Sequence, residues 1–338
     1  MSDYGTQYAD LEQKMLLKRI LQAYTRARNE LLGKLEKFQA KHAKADAAKR
    51  SAIAAETDPA KKAAMQAAYQ DWLRGQVFMG KQWEDEIAEI TRTIVDANAQ
   101  TMNLIRTGQV RVFAENANYE AWKLEKAAGM NLNFSLYDGT TVGRLLKKSP
   151  TLLPKWKINE QKDYVWNYGK VKDIVTQAIL QGEGIPQITK KLAADLCTTN
   201  TNRMNTFART SMTGAQNAGR VERMQEANEE GIKTRKKWLA TLDERTRDAH
   251  QELDGETAAP DEPFHSRLGD ILFPGDPNAD PANVYNCRCT LIEVIEGIET
   301  HGERRAYREW DDERGHHKES YLVKDMTYRE WKQWKEGE

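Results

Sequence analysis

The stretch from Trp238 to Cys289 constrains this chain more than any other. It opens WLATLDERTRDAHQELDG, passes through a proline- and glycine-punctuated loop around Phe264, and closes FPGDPNADPANVYNCRC. Few folds accommodate a short apolar strand, an Asp-capped helix carrying Thr246, Arg247 and His250, and a terminal C-x-C in one segment. Asp243 precedes the helical stretch and is placed to accept its first free amides. Arg247 and His250, three residues apart, then share nearly one helical face. Cys287 and Cys289 flank Arg288. Side chains two apart on a strand point the same way, so both sulfurs would face His250.

Those three residues admit two readings. Zinc favours thiolate and imidazole in a tetrahedral shell, and His265, Asp276 or Asp243 would be the candidates for a fourth ligand. Against zinc, no fourth ligand is evident, and C-x-C is tighter than the usual C-x-x-C knuckle. The plainer reading has His250 hydrogen-bonded to the loop before Cys287, with the cysteines as reduced thiols in a core. A general acid–base role for His250 is a third use of the same imidazole.

At 338 residues the chain exceeds one comfortable core, so two domains or a domain with extensions are expected. With 51 basic and 51 acidic residues it is formally neutral, which argues against a protein that coats DNA over its whole surface. No apolar run is long enough to span a bilayer. MSDYGTQYADLEQK lacks the basic and apolar regions of a secretory signal. Three cysteines, two of them one residue apart, do not make a disulfide framework. These features predict a protein made in a reducing cytoplasm.

Apolar residues at Leu17, Ile20, Tyr24, Ala27, Leu31, Leu35 and Phe38 fall at helical spacing. Ala40 to Ala55 turns Ala/Lys-rich and reads as a solvated helix or a flexible elbow. Thr57-Asp58-Pro59 is a helix start. A second stripe follows at Met65, Tyr69, Trp72, Met79, Trp83, Ile87, Ile90, Ile94 and Ala97. Residues 1–107 therefore form a long amphipathic helical arm or hairpin. Residues 108–163 are a mixed connecting region: Asn116 to Ala127 looks helical, Met130 to Leu136 extended, and Asp138-Gly139 a turn. Helices are expected from Gln161 to Leu180, from Ile185 to Cys197, and, capped by Thr198 to Thr201, on to Asn228. Thr234 to Ala240 and Thr290 to Ile295 read as strands. The class is α+β, with the long helical arm followed by a smaller α+β C-terminal domain. The charged tail, residues 299–338, is punctuated by aromatics. Its last turn spaces Tyr328, Trp331 and Trp334 as one helical face.

Arg203, Arg209, Arg220 and Arg223 sit on one expected helix and could meet a nucleic-acid backbone. Glu222, Glu226, Glu229 and Glu230 are interleaved, which favours a solvated, salt-bridged helix. There is no Gly-rich phosphate loop, no G-x-S-x-G elbow and no H-E-x-x-H run.

The D-x-x-T-R-x-x-H block at Asp243 to His250, the C-x-C, and the upstream run FARTSMTGAQNAGR from Phe207 to Arg220 occur in one order. Together they resemble the C-terminal domain of the phage Mu F-like minor head proteins, also called SPP1 gp7-like head morphogenesis proteins. The match covers Tyr164 to Glu296, within a domain bounded at 164–298. The resemblance implies a structural protein of a tailed bacteriophage, not an enzyme. It implies synthesis in the host bacterial cytoplasm and residence in the virion, at the capsid interior or portal vertex. Its partners would be the portal protein, the major capsid or scaffolding protein and the packaged genomic DNA, with no membrane. Its work would be head morphogenesis and DNA packaging or ejection. In that setting Trp238, Asp243, Arg247, His250, Cys287 and Cys289 would lock the loop from Leu253 to Asn286 onto the core, whether by packing or by zinc. The two apolar stripes of residues 1–107 have two readings: a docking element for a partner, whose removal would leave a soluble C-terminal domain, or part of an ordinary helical bundle closed within the chain. Two other classes remain: a phage-encoded enzyme or toxin-type domain using Arg209, Arg247, His250 and Cys287, and a cytoplasmic coiled-coil adaptor.

Overall fold

The computed structural model describes residues 3–78, 81–128, 134–153, 159–181, 183, 185–297, 303–310 and 317–324. The chain divides into two compact units assembled from separated stretches. One comprises Lys18–Asn103 and Lys157–Asn205, the other Met1–Leu17, Leu104–Trp156 and Thr206–Glu338. Helices α1 (Tyr4–Ala55), α3 (Lys81–Ala128) and α6 (Ile185–Glu229) contribute to both.

In the all-helical unit, α2 (Pro59–Phe78) and α5 (Glu160–Leu180) join segments of those three helices. The expected stripe of α1 is buried at Ile20, Tyr24, Ala27 and Leu31, and that of α3 at Ile87, Ile90, Ile94 and Ala97. Leu17 and Met65 are half-buried, while the side chains of Leu35, Phe38, Met79 and Trp83 lie outside the described residues. Leu31, Leu73, Ile90, Val171, Val175 and Leu192 belong to one apolar core. Asp58 opens α2 as expected, its Oδ1 accepting the amides of Ala60 at 2.8 Å and Lys61 at 3.3 Å. Ala40 to Ala55 is no elbow, because α1 continues to Ala55 and its Asp46 accepts from the Tyr69 hydroxyl of α2.

Nor does a new helix begin at Thr198 to Thr201. α6 runs unbroken through them because Asn200 is buried inside it, bonded back to Leu196 O at 3.0 Å. Asn200 also donates to Asn167 Oδ1 at 3.0 Å and accepts from Asn98 at 3.0 Å. Asn98 reaches Asp163 at 2.8 Å, and Arg203 pairs with Asp163 at 2.7 Å. This satisfied polar seam fixes the register of α3, α5 and α6, since a slip of one turn would strand several buried amides.

The second unit carries the sheet. β1 (Thr234–Leu239) lies between β2 (Thr257–Ala258) and β5 (Thr290–Ile295), antiparallel to both, with Trp238 opposite Leu291. β3 (Phe264–Ser266) and β4 (Gly269–Ile271) form a second antiparallel pair. Short helices α7 (Asp248–Glu252) and α8 (Pro281–Val284) complete the segment, so the stretch from Leu253 to Asn286 is partly regular structure rather than one long loop. In the tail, β6 (Glu303–Trp310) pairs antiparallel with β7 (His317–Lys324), an element the aromatic punctuation did not predict. The proposed helical face of Tyr328, Trp331 and Trp334 lies outside the described residues.

Two expectations for residues 108–163 are corrected. Gln109 to Glu115 belong to α3, which continues through position 107 to Ala128, and at Gly108 an added Cβ would lie 3.3 Å from the Met212 side chain. Asp138 is the N-cap of α4 (Gly139–Lys148), its side chain accepting the Thr141 amide at 2.7 Å, rather than part of an isolated turn. Met130 to Asn133, expected as extended, lie outside the described residues.

Candidate functional site

The C-terminal half of α6 is a polar platform. Thr210, Thr213, Asn217 and Arg220 recur at three- and four-residue spacing, the period that puts side chains on one helical face. Thr210 accepts the Asn286 amide at 3.0 Å, and Thr213 donates to Cys287 O at 2.9 Å. Asn217 Oδ1 accepts the Leu291 amide at 3.0 Å while its Nδ2 donates to Pro274 O at 3.1 Å. Arg220 donates to Leu291 O at 2.7 Å. Thr213, Asn217 and Arg220 thus satisfy backbone groups of the buried residues Pro274, Cys287 and Leu291. At Gly275, with φ of +85°, an added Cβ would lie 2.6 Å from the Gly214 nitrogen, so the FPGDP turn presses its backbone onto the helix.

That platform aims the C-x-C. Asn286 adopts a left-handed φ of 56°, which asparagine tolerates better than most residues, and turns the chain into β5. The side chains then alternate as the sequence predicts. Cys287 and Cys289 reach back to His250, with Sγ to Nδ1 distances of 3.5 and 3.6 Å. Arg288 points away and pairs with Asp243, at 2.8 Å for Nη2 to Oδ1. All three members of the Cys–His cluster are buried.

The imidazole orientation is fixed from behind. His250 Nε2 lies 2.8 Å from Asn283 Oδ1, and Asn283 Nδ2 donates to Ser266 Oγ at 3.0 Å and Gly269 O at 3.2 Å. With the amide nitrogen thus committed, Asn283 Oδ1 accepts, Nε2 carries the proton, and the Nδ1 lone pair faces the sulfurs. Trp238, buried on β1, sets its ring edge-on to His250 with centroids 5.2 Å apart and to Phe264 at 5.3 Å. Among the described residues its buried indole N–H has no hydrogen-bond partner.

Burial pushes the Cys289 thiol well above its ordinary pKa, while the hydrogen bond from Cys289 lowers that of Cys287. Burial alone would lower the His250 pKa, but Cys289 and Asn283 overcome it and leave the imidazole raised. Asp243 is held below the usual carboxylate range: burial opposes this, and the Arg288 guanidinium outweighs it.

Several sequence expectations are relocated. Asp243 does not cap a helix. It organises the turn before α7, accepting the Arg245 amide at 3.0 Å, and Arg247 takes the N-cap position of α7 without a side-chain cap. Arg247 instead donates to Tyr285 O, just before the C-x-C. Among the described residues the three-member cluster gains no fourth ligand. His265 is exposed and pairs with Asp270 at 2.7 Å, Asp276 accepts the Leu272 amide at 2.9 Å, and Asp243 is engaged by Arg288. The arginines do not form one basic face. Arg220 and Arg223 are buried, the latter 3.7 Å above the Tyr137 ring and bonded to Ser135 O, and Arg203 serves the polar seam. Arg209 is exposed whereas His250 and Cys287 are closed off, so these residues line no common open pocket.

Asn217, Thr213, Gln216 and Asn283 were not singled out from the sequence. The first three were legible as a polar stripe amid the small residues of TSMTGAQNAG. Nothing local marked Asn283.

Residues 169–292 match the family model described as phage Mu protein F like protein, a span that holds the platform, the Asp243 turn and the C-x-C. The chain is 30% identical over 226 residues to the minor head protein GP7 of Bacillus phage SPP1, covering 67% of this chain and 70% of that protein. It is 29% identical over 262 residues to the NAD(+)--arginine ADP-ribosyltransferase EFV of Enterococcus faecalis, covering 71% of this chain but only 51% of that protein. A Haemophilus influenzae protein of no assigned activity is 30% identical over 207 residues, 57% of this chain and 41% of its own length. No solved structure matches the chain.

Proposed function

This chain belongs to the phage Mu protein F-like family of minor head proteins, and from that premise we propose that it is a structural component of a tailed-bacteriophage head. The observation that carries the reading is the closure of the family-matched region. His250, Cys287 and Cys289 are buried, and the platform residues spend their hydrogen bonds on the protein's own backbone. A catalytic centre needs polar groups that converge on an accessible substrate. Here they converge on one another and hold a fold.

In this reading the protein enters the procapsid by binding the portal, with the major capsid or scaffolding protein as neighbour, and stays in the head when DNA is packaged. Trp238, Asp243, Arg247, His250, Cys287 and Cys289 act as the lock of the C-terminal unit. Among the described residues no helix is long and apolar enough to cross a membrane. The test is assembly of procapsids from coexpressed portal, scaffolding and capsid proteins with the full chain. Sedimentation of the chain with particles only when portal is present supports portal docking, and sedimentation without portal refutes it.

An enzymatic reading is favoured by one observation, the similarity to EFV, half of whose length this chain spans. Incubation with NAD+ and an arginine-containing acceptor checks it directly. Transfer of ADP-ribose by the purified chain would put the enzyme first.

A further inference from the structure

We propose that His250 Nδ1, Cys287 Sγ and Cys289 Sγ hold a zinc ion that fastens the C-terminal unit, with a water in the fourth position. The three ligand atoms lie within 4.8 Å of one another, and the nitrogen stands 3.5 and 3.6 Å from the two sulfurs. Tetrahedral zinc with Zn–S near 2.3 Å and Zn–N of 2.0–2.1 Å places sulfur and nitrogen about 3.5–3.6 Å apart. The two sulfur-to-nitrogen spacings are thus those of the shell.

The orientation agrees. A ligating histidine characteristically donates its other ring N–H to a fixed acceptor, which aims the lone pair at the metal. Asn283 is that acceptor, at 2.8 Å, and its own amide nitrogen is pinned by Ser266 and Gly269. A bound ion would use all three donors at once. Two thiolates also neutralise a divalent ion, so the buried set carries no net charge, which suits its burial. Sulfur and imidazole exclude magnesium and calcium, which take oxygen ligands. The site joins α7 to the residues entering β5 and so closes the intervening segment, Leu253 to Asn286, on itself. Binding would therefore be coupled to folding of that segment. Zinc at this site does not depend on whether the protein docks on a portal.

The test uses the full chain, purified under reducing conditions from zinc-supplemented cells. Elemental analysis should give one zinc per chain. Cys287→Ser should lose it, and Cys197→Ser, which alters a buried cysteine of the other unit, should keep it. To separate loss of the ligand from loss of folding in Cys287→Ser, the unaltered protein is also stripped and reloaded with cobalt. Thiolate-to-cobalt charge transfer with the intense visible bands of a tetrahedral site is expected. Absence of both zinc and the cobalt spectrum overturns the proposal. So does full occupancy by copper or iron, or retention of zinc after Cys287→Ser and Cys289→Ser are combined.

Discussion

Arg220 donates from one guanidinium nitrogen to both carboxylate oxygens of Asp3, at 2.8 and 2.9 Å, across 217 residues of sequence. Both groups are buried. The beginning of α1 is therefore built into the unit that contains the sheet, with Gln216 bridging Thr6 and Thr290 at 2.9 Å each. This contact argues against residues 1–107 being a removable arm. Truncation before position 107 leaves Arg220 buried without its carboxylate, and the remaining fragment is expected to aggregate rather than fold. Asp3→Ala alone should cost roughly 3–5 kcal/mol, the range for breaking a buried ion pair on one side, as read by denaturant unfolding.

The same pair sets an acid limit. Burial would raise the Asp3 carboxyl, but the Arg220 and Lys123 cations outweigh it and hold the pKa at about 2 against 3.8. A carboxyl depressed on folding contributes stability that is complete above its unfolded pKa and vanishes as pH falls through the folded one. Unfolding free energy should therefore drop between pH 3.8 and about 2 in a way that Asp3→Asn abolishes. An identical acid profile in the variant would show that other carboxyls govern this range.

Lys236 supplies the opposite case. Burial on β1 lowers its pKa to about 7 from 10.5, and its ammonium nitrogen reaches Pro260 O at 2.9 Å. Between those values the unfolded chain binds more protons, so stability should rise with pH across the window. Lys236→Met should flatten that rise. A slope unchanged in Lys236→Met would mean that the site is hydrated and the lysine ordinary.

Gly275 and Gly231 separate strain from collision. Both have positive φ, but an added Cβ meets Gly214 backbone at 2.6 Å in the first and nothing within 4 Å in the second. Gly231→Ala should cost roughly 1–3 kcal/mol of backbone strain. Gly275→Ala should cost more, because neither backbone can yield. Equal losses would contradict the close contact of the FPGDP turn with α6.

The platform itself is tested at Asn217. Asn217→Ala removes the acceptor of the buried Leu291 amide and the donor to Pro274 O. A loss of roughly 1–3 kcal/mol for an unsatisfied buried group is expected in thermal or chemical unfolding. A melting temperature equal to that of the unaltered protein would place water, not Asn217, at that amide.

Much of this was legible in the sequence because periodicity reports burial. The stripe from Ile20 to Leu31, the Asp58 cap, strands β1 and β5, and the shared side of Cys287 and Cys289 all follow from residue spacing. What was misread depended on partners distant in sequence. Thr198 to Thr201 looks like a cap until Asn200 finds Asn98 and Asn167. Asp243 looks like a helix cap until Arg288 claims it. Arg220 and Arg223 look like a phosphate-binding surface until Asp3 and Tyr137 bury them. Polar residues are ambiguous in sequence because the same side chain serves solvent, a ligand or a buried counterpart, and only the fold chooses.

Quantitative mass spectrometry of purified particles, from cells in which the phage carrying this gene is growing, tests the central claim most directly. The account predicts peptides of this chain in every particle preparation, in a fixed ratio to the portal protein that survives nuclease and salt washing. Particles with portal and capsid proteins but without this chain, alongside ADP-ribose transfer by the soluble protein, would contradict it.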